Sequence, residues 1–172
     1  MLSKAMILAF VPVLMAFLAG AVLPFQATSN GAVGKALGHP LWGALVSLTV
    51  SALVLLPLIW FLKVPAPRIG IALQAPWWVW IGGVLGAVYV GSAAAFSPKL
   101  GAGGFIVLVV AGQMIAAVVV DHFGLMGLTP RPVNLARLAG VALILAGALF
   151  IQYGGHTGSA SAATAAGEQT KS

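Results

Sequence analysis

The chain has 172 residues, of which 61% are hydrophobic and only 6% are charged, and its formal net charge is +6 at pH 7. Soluble domains carry roughly 25% charged residues, so this composition excludes a water-facing globular surface and indicates a membrane protein. The eight Lys and Arg residues are scattered singly, which does not favour nucleic-acid binding, and the lack of cysteine excludes disulfides and thiolate metal sites.

Five apolar segments are each long enough to cross a bilayer, whose hydrocarbon core of about 30 Å needs roughly 20 helical residues. We therefore predict an all-α integral membrane protein with a bundle of five transmembrane helices, because backbone groups in lipid must be satisfied within a helix. The predicted spans are residues 5–25, 41–62, 77–96, 100–120 and 134–153. The first span also resembles a signal peptide, but its apolar run continues past Ala19-Gly20-Ala21 to Phe25, which favours retention.

The predicted connections are short and contain Gly and Pro. Ser97-Pro98-Lys99 leaves little more than a turn between the third and fourth spans, which predicts a tight antiparallel hairpin. Residues 154–172 consist mainly of Gly, Ala, Ser and Thr, and we predict that this tail is disordered and that residues 1–153 form the membrane domain.

The distribution of Lys and Arg predicts an orientation. If the five spans alternate, one side of the membrane holds Lys4, Lys63, Arg68, Arg131 and Arg137. The other side holds Lys35, Lys99 and Lys171. Because positive residues favour the cytoplasm, we predict a cytoplasmic N-terminus and an external C-terminus. Tryptophans at the start of the third span are typical of the aromatic belt at a membrane interface, and these are Trp77, Trp78 and Trp80.

Several ungapped blocks along the chain carry a family resemblance. They are residues 26–31, 37–42, 76–86 together with Tyr89, 97–102 and 111–124. In this order they resemble the YdcZ-type inner-membrane exporters, a bacterial family of the drug/metabolite transporter superfamily. The resemblance implies a half-sized transporter in the inner membrane that works as an antiparallel pair, with itself or with an oppositely oriented homologue. An odd number of helices fits such an inverted repeat.

Two carboxamides near the end of the first span are candidates for a substrate path. Gln26 and Asn30 are four residues apart, so they share a face if the helix continues past Phe25. Pro24 precedes them and could open backbone groups toward a cavity. Either they form a neutral, hydrogen-bonding substrate site, or they lie beyond the bilayer and cap the helix.

The fourth span carries the other polar candidates. Gln113 lies near its middle, where it either lines a cavity or makes an interhelical hydrogen bond. Asp121 is the only acid in the first 167 residues, and His122 follows it directly. These two residues either form a proton-handling pair or gate, or mark an interfacial helix end where Asp121 pairs with Arg131 or Arg137.

The remaining candidates have more ordinary interpretations as well. Ser47 and Ser51 share a helix face and either line a path or bond back to their own helix. Tyr89 either stacks on a substrate cation or is simply packed. Small residues four apart favour close helix approach, within one protomer or between two, and these are Gly82, Gly86, Gly112 and Ala116.

The sequence thus favours a secondary transporter that exports a small organic metabolite or drug. No nucleotide-binding GxxxxGK[ST] motif is present, and no carboxylate pair, metal cluster or nucleophile–base set indicates an enzyme, a cofactor or a metal. The first span has no acid, so proton coupling would require Asp121 or His122. The alternatives are a dimeric channel and a non-transporting membrane subunit.

Overall fold

The chain is helical throughout its long apolar segments. The computed structural model describes the backbone of residues 4–169 and the side chains of Met6 and of residues 8–154. The helices are α1 (Lys4–Ala36), α2 (Pro40–Phe61), α3 (Ile69–Leu73), α4 (Ile81–Phe123) and α5 (Leu135–Gln169). Short 3-10 turns at Trp77–Trp80 and Leu125–Gly127 flank α4.

Four helical segments of this part of the chain are long and apolar enough to cross a membrane. They are Leu8–Ala36, Pro40–Phe61, Trp77–Phe123 and Leu135–Gly154. The last of these matches the predicted fifth span closely. α5 itself continues to Gln169, but side chains from residue 155 onward lie outside the described residues, so the disordered tail stays a prediction.

Helix α1 is longer than its predicted span. It continues without interruption past Phe25 to Ala36 and includes Pro12 and Pro24. The prolines are tolerated because neighbouring groups can satisfy the backbone carbonyls that they free. Gly38, with φ +84°, follows the helix end in the left-handed conformation that glycine adopts easily. Gln26 and Asn30 therefore lie inside α1, and neither of them caps its end.

Helix α2 begins directly after this turn. His39 is its N-cap, and its Nδ1 accepts a hydrogen bond of 3.2 Å from the backbone N–H of Leu41. Pro40 occupies the first helical position, where its missing N–H leaves no additional group unsatisfied. The α1–α2 connection is consequently short, and the two helices pack against each other.

The predicted connection at Ser97-Pro98-Lys99 is wrong in its position. These residues are helical, and the non-helical residue inside α4 is Gly101, with φ 74° and ψ 156°. Only glycine adopts that conformation readily, because a Cβ would clash with the backbone. The predicted third and fourth spans are thus joined in one segment that carries a break at Gly101, and the hairpin between them stays a prediction.

The chain divides into two compact units, Met1–Ala102 and Gly103–Ser172. The described buried residues are mostly small, such as Ala27, Ala93 and Ala148, whereas large apolar side chains such as Phe25 and Phe150 are exposed. Membrane helices pack in this way, because small residues let backbones approach while large apolar side chains face lipid. The composition and the burial pattern together establish an all-helical membrane protein.

Candidate functional site

The best-buried polar residues of the described chain lie in the first unit. Asn30 of α1 is 6% exposed, and Ser97 of α4 is 3% exposed. Ala27, one turn before Asn30 in α1, is buried as well. Ser97 donates its hydroxyl hydrogen to the backbone carbonyl of Ala27 at 3.0 Å. This bond ties the middle of α4 to α1 beside Asn30.

The carboxamide of Asn30 is not satisfied. Its Nδ2 is fully covered and has no hydrogen-bond partner among the described residues. An amide donor that is buried without an acceptor costs about 1–3 kcal/mol, and apolar groups of the same shape avoid that cost. A donor kept under these conditions is therefore a strong candidate for contact with a ligand.

Glycines bring the backbones around Asn30 unusually close. A Cβ on Gly43 of α2 would collide with the carbonyl oxygen of Asn30 and lie 2.8 Å from the nitrogen of Gly34. A Cβ on Gly31 would lie 2.7 Å from Cγ of Pro98 in α4. Asn30 consequently lies where α1 approaches both α2 and α4, and only glycine permits this spacing.

The other predicted residues of the first unit do not bond to Asn30. Gln26, Ser47 and Tyr89 are half-buried. Ser51 is exposed, and its hydroxyl donates to the carbonyl of Ser47 at 2.9 Å, one turn earlier in α2. This back-bonding is the ordinary behaviour of serine in a helix. A path that includes these residues stays a prediction.

In the second unit, Asp121 forms an ion pair with Arg137. The Nη2 of Arg137 donates to Oδ2 of Asp121 at 3.0 Å, and the two side chains are 35% and 33% exposed respectively. The backbone carbonyl of Asp121 also accepts from the N–H of Arg131 at 2.7 Å. Asp121 thus holds both the start of α5 and the loop that precedes it.

The side chains of His122 and Asp121 form hydrogen bonds with different residues. The Nδ1 of His122 accepts a hydrogen bond of 3.3 Å from the backbone N–H of Val133. The ring also packs edge-on against Phe123, with the ring centroids 4.7 Å apart. Asp121 and His122 therefore anchor the loop before α5 from two sides, and a proton-handling role for the pair stays a prediction.

Gln113 and the predicted packing glycines face outward on this chain. Gln113 is exposed, although apolar residues surround it along the helix. A Cβ on Gly82, Gly86 or Gly112 would meet no atom within 4 Å. Ala116 is exposed as well. Within the described residues, no neighbouring helix packs closely against these glycines. Their role in packing between protomers stays a prediction.

Two polar residues outside the predicted candidates form hydrogen bonds between helices. Ser97 lies in the predicted turn with Pro98 and Lys99, but in the structure it is helical and its side chain is buried in the first unit. Gln152 of α5 donates its amide hydrogen to the carbonyl of Gly104 at 2.9 Å. A lone amide in an apolar span is itself a signal, because polar groups in lipid are costly.

The described residues contain no group of three His, Cys, Asp or Glu side chains that could hold a metal ion.

Comparison with known proteins identifies the chain's family. The family model "Putative inner membrane exporter, YdcZ" matches residues 11–150, which include all four long apolar helical segments almost completely. Searches of the curated proteins and of the solved structures found no match. The chain belongs to the YdcZ family of multi-pass inner-membrane exporters, which are transporters and not enzymes.

Proposed function

We propose that the chain is a secondary transporter that exports a small organic solute as an antiparallel pair, formed with itself or with an oppositely oriented homologue. The observation that carries this proposal is the amide of Asn30, which is buried and has no acceptor among the described residues. The exposed amide of Gln113 supports the pairing of protomers, and the break in α4 at Gly101 supports five membrane crossings.

A donor such as Asn30 Nδ2 suits a solute that brings its own acceptor. In the bound state a carbonyl or hydroxyl oxygen of the solute accepts from Nδ2 and removes the penalty of the unpaired donor. Because Asn30 is neutral and the described part of α1 has no acid, the binding step moves no proton at this position. The solute is therefore recognised through hydrogen bonding and shape, as is common in sites with few polar groups.

The chain crosses the membrane five times in this proposal. The segment Trp77–Phe123 has 47 residues and would be about 70 Å long as a straight helix, roughly twice the hydrocarbon thickness. The break at Gly101 divides α4 into two parts of about 20 residues, each long enough for one crossing. Five crossings put the termini on opposite sides, with the N-terminus in the cytoplasm as the positive charges favour.

An outward-facing amide supports the pairing of two protomers. Gln113 lies in the second part of α4 with its side chain exposed, and a carboxamide in contact with lipid chains has no hydrogen-bond partner. A second protomer that covers Gln113 supplies one. The open space beside the adjacent Gly112 gives the partner helix room to approach.

Transport in proteoliposomes tests the function. Efflux of a panel of neutral and charged solutes is measured with the wild type, with Asn30→Leu and with Asn30→Ser, which keeps a donor of smaller size. We expect flux of at least one solute in the wild type, partial flux in Asn30→Ser and none in Asn30→Leu. Equal flux in all three proteins would exclude Asn30 as the recognition group, and the absence of flux for every solute would favour a non-transporting subunit.

Cysteine labelling tests the crossing number, because the background contains no cysteine. Single cysteines in place of Ser3 and Ser159 are labelled in intact cells with a reagent that does not cross the membrane. We expect only the cysteine at position 159 to react if the partner is a homologue, and about half of the cysteines at each position to react if the chain pairs with itself. Complete labelling of both positions from one side would be incompatible with five crossings.

A further inference from the structure

A small cavity in the second unit lies between the later part of α4 and the start of α5. Its volume is about 180 Å³. Each helix contributes four lining residues with the spacing i, i+3, i+4 and i+7, so one face of α4 opposes one face of α5. Ala117 and Gly140 line it on opposite helices, and their small size leaves the space open.

The cavity is polar at one end only. Asp121 and Arg137 are its only ionisable lining residues, and the rest of the lining is apolar, including Met114 and Ile144. The cavity can therefore accept a molecule with one charged or strongly polar end and a short apolar body. At about 30 Å³ per water molecule, the volume suits a molecule of about six or seven non-hydrogen atoms.

The polar end favours a donor cation over an anion. The ion pair uses Oδ2 of Asp121, and no hydrogen bond to Oδ1 is found in the described part of the chain. A carboxylate can accept several hydrogen bonds, so Oδ1 remains available. On Arg137, Nη1 is fully covered and has no hydrogen-bond partner among the described residues, so the oxygen of an anion would reach it only after the guanidinium had moved, whereas the side chain of Asp121 is one-third exposed.

We propose that this cavity binds a small primary ammonium with an apolar tail. The N–H groups of the ammonium donate to Asp121, and the tail lies along Ala117 and Gly140 toward Met114 and Ile144. A bond between an ammonium and a carboxylate is charge-assisted, and it is stronger in an apolar site than in water. The site is formed by residues of the second unit alone and binds this class of molecule whichever solute the Asn30 site recognises.

Equilibrium binding of radiolabelled n-hexylammonium to the purified protein in lipid nanodiscs tests the proposal. We expect saturable binding to the wild type and an affinity at least about tenfold lower for Asp121→Asn, because a charge-assisted hydrogen bond is lost. Gly140→Leu should weaken binding by a similar factor, since its side chain fills the cavity while both ionisable residues remain. Gly147→Leu is the matched control on α5, where a Cβ also meets open space but lies outside the cavity lining.

The two glycine variants keep the test decisive even if Asp121→Asn fails to fold. Equal affinity in Gly140→Leu and wild type would overturn the proposal, as would the absence of saturable binding to the wild type. A second arm replaces the cation with n-hexanoate. Saturable n-hexanoate binding that is lost in Arg137→Gln would identify an anion site and overturn the proposal too. Retained n-hexylammonium binding in Asn30→Leu separates this site from the transport site proposed above.

Discussion

A close approach of two helices predicts the effect of adding a single methyl group. Gly43 of α2 faces α1 at a point where a Cβ would collide with the carbonyl oxygen of Asn30. The same Cβ would lie 2.8 Å from the nitrogen and 3.0 Å from the Cα of Gly34. All three atoms belong to the backbone, so no change of side-chain rotamer can relieve the contact. Gly43→Ala therefore has to push α1 and α2 apart.

The magnitude follows from the overlap. Carbon atoms in contact prefer a separation of about 3.5–4.0 Å, so the helices must separate by roughly 1 Å. Overpacking of this kind typically lowers the free energy of unfolding by about 1–3 kcal/mol. Gly147→Ala in the interior of α5 is the matched control, because a Cβ there meets no atom within 4 Å. In a helix that substitution raises stability by about 0.5–1 kcal/mol.

Unfolding in mixed detergent micelles, followed by circular dichroism, measures both variants. We expect their free energies of unfolding to differ by about 1–3 kcal/mol, with Gly43→Ala the less stable, because both variants gain helix propensity and only Gly43→Ala is overpacked. Gly43→Ser should be at least as destabilised as Gly43→Ala, because its side chain adds a further atom. Equal stability of Gly43→Ala and Gly147→Ala would refute the close approach of α1 and α2 at this position.

Three further experiments test the polar groups. Ser97→Ala removes the buried bond to the Ala27 carbonyl, and we expect a loss of about 1 kcal/mol in the free energy of unfolding. Asn30→Leu removes an unsatisfied donor, so the free energy of unfolding should rise by about 1–2 kcal/mol although transport is lost. A lower free energy of unfolding would mean that the amide has a structural partner. A double-mutant cycle with Asp121→Asn and Arg137→Gln should give a coupling of about 1 kcal/mol that decreases in high salt, because both side chains are one-third exposed. A coupling of zero would show that the ion pair contributes nothing to the fold.

The helical, membrane-embedded character of the chain follows directly from its sequence. Few charges and long apolar runs leave no other structure, because lipid offers the backbone no hydrogen-bond partner. The start of α2 also follows from the sequence, since Gly38, His39 and Pro40 are suited to a turn, a helix cap and a first helical residue respectively. Asp121 and two possible partners, Arg131 and Arg137, could also be named in advance, because a lone acid near a helix end needs a basic residue within reach. The structure decides for Arg137 as the side-chain partner.

The local sequence pattern predicted the wrong position for the break in the middle of α4. Pro98 and Lys99 indicated a turn, yet both are helical and the break falls three residues after the proline, at Gly101. Proline weakens a helix but does not decide where it ends, whereas the backbone angles at Gly101 are accessible only to glycine. Pro98 and Gly101 can both interrupt a helix, and the packing around them decides which one does so. Here Pro98 packs against Gly31.

Tertiary structure alone decided which polar residues are buried. The sequence indicated Gln26, Asn30 and Gln113 as amides in apolar surroundings, and the position of Gln113 near the middle of a span favoured it for contact with a substrate. In the structure Asn30 is covered, Gln26 is half-buried and Gln113 is exposed, while Ser97 joins Asn30 in the core of the first unit. The periodicity of a helix gives the face on which a residue lies but not the neighbour of that face, which depends on how closely glycines such as Gly31 and Gly43 let the helices approach.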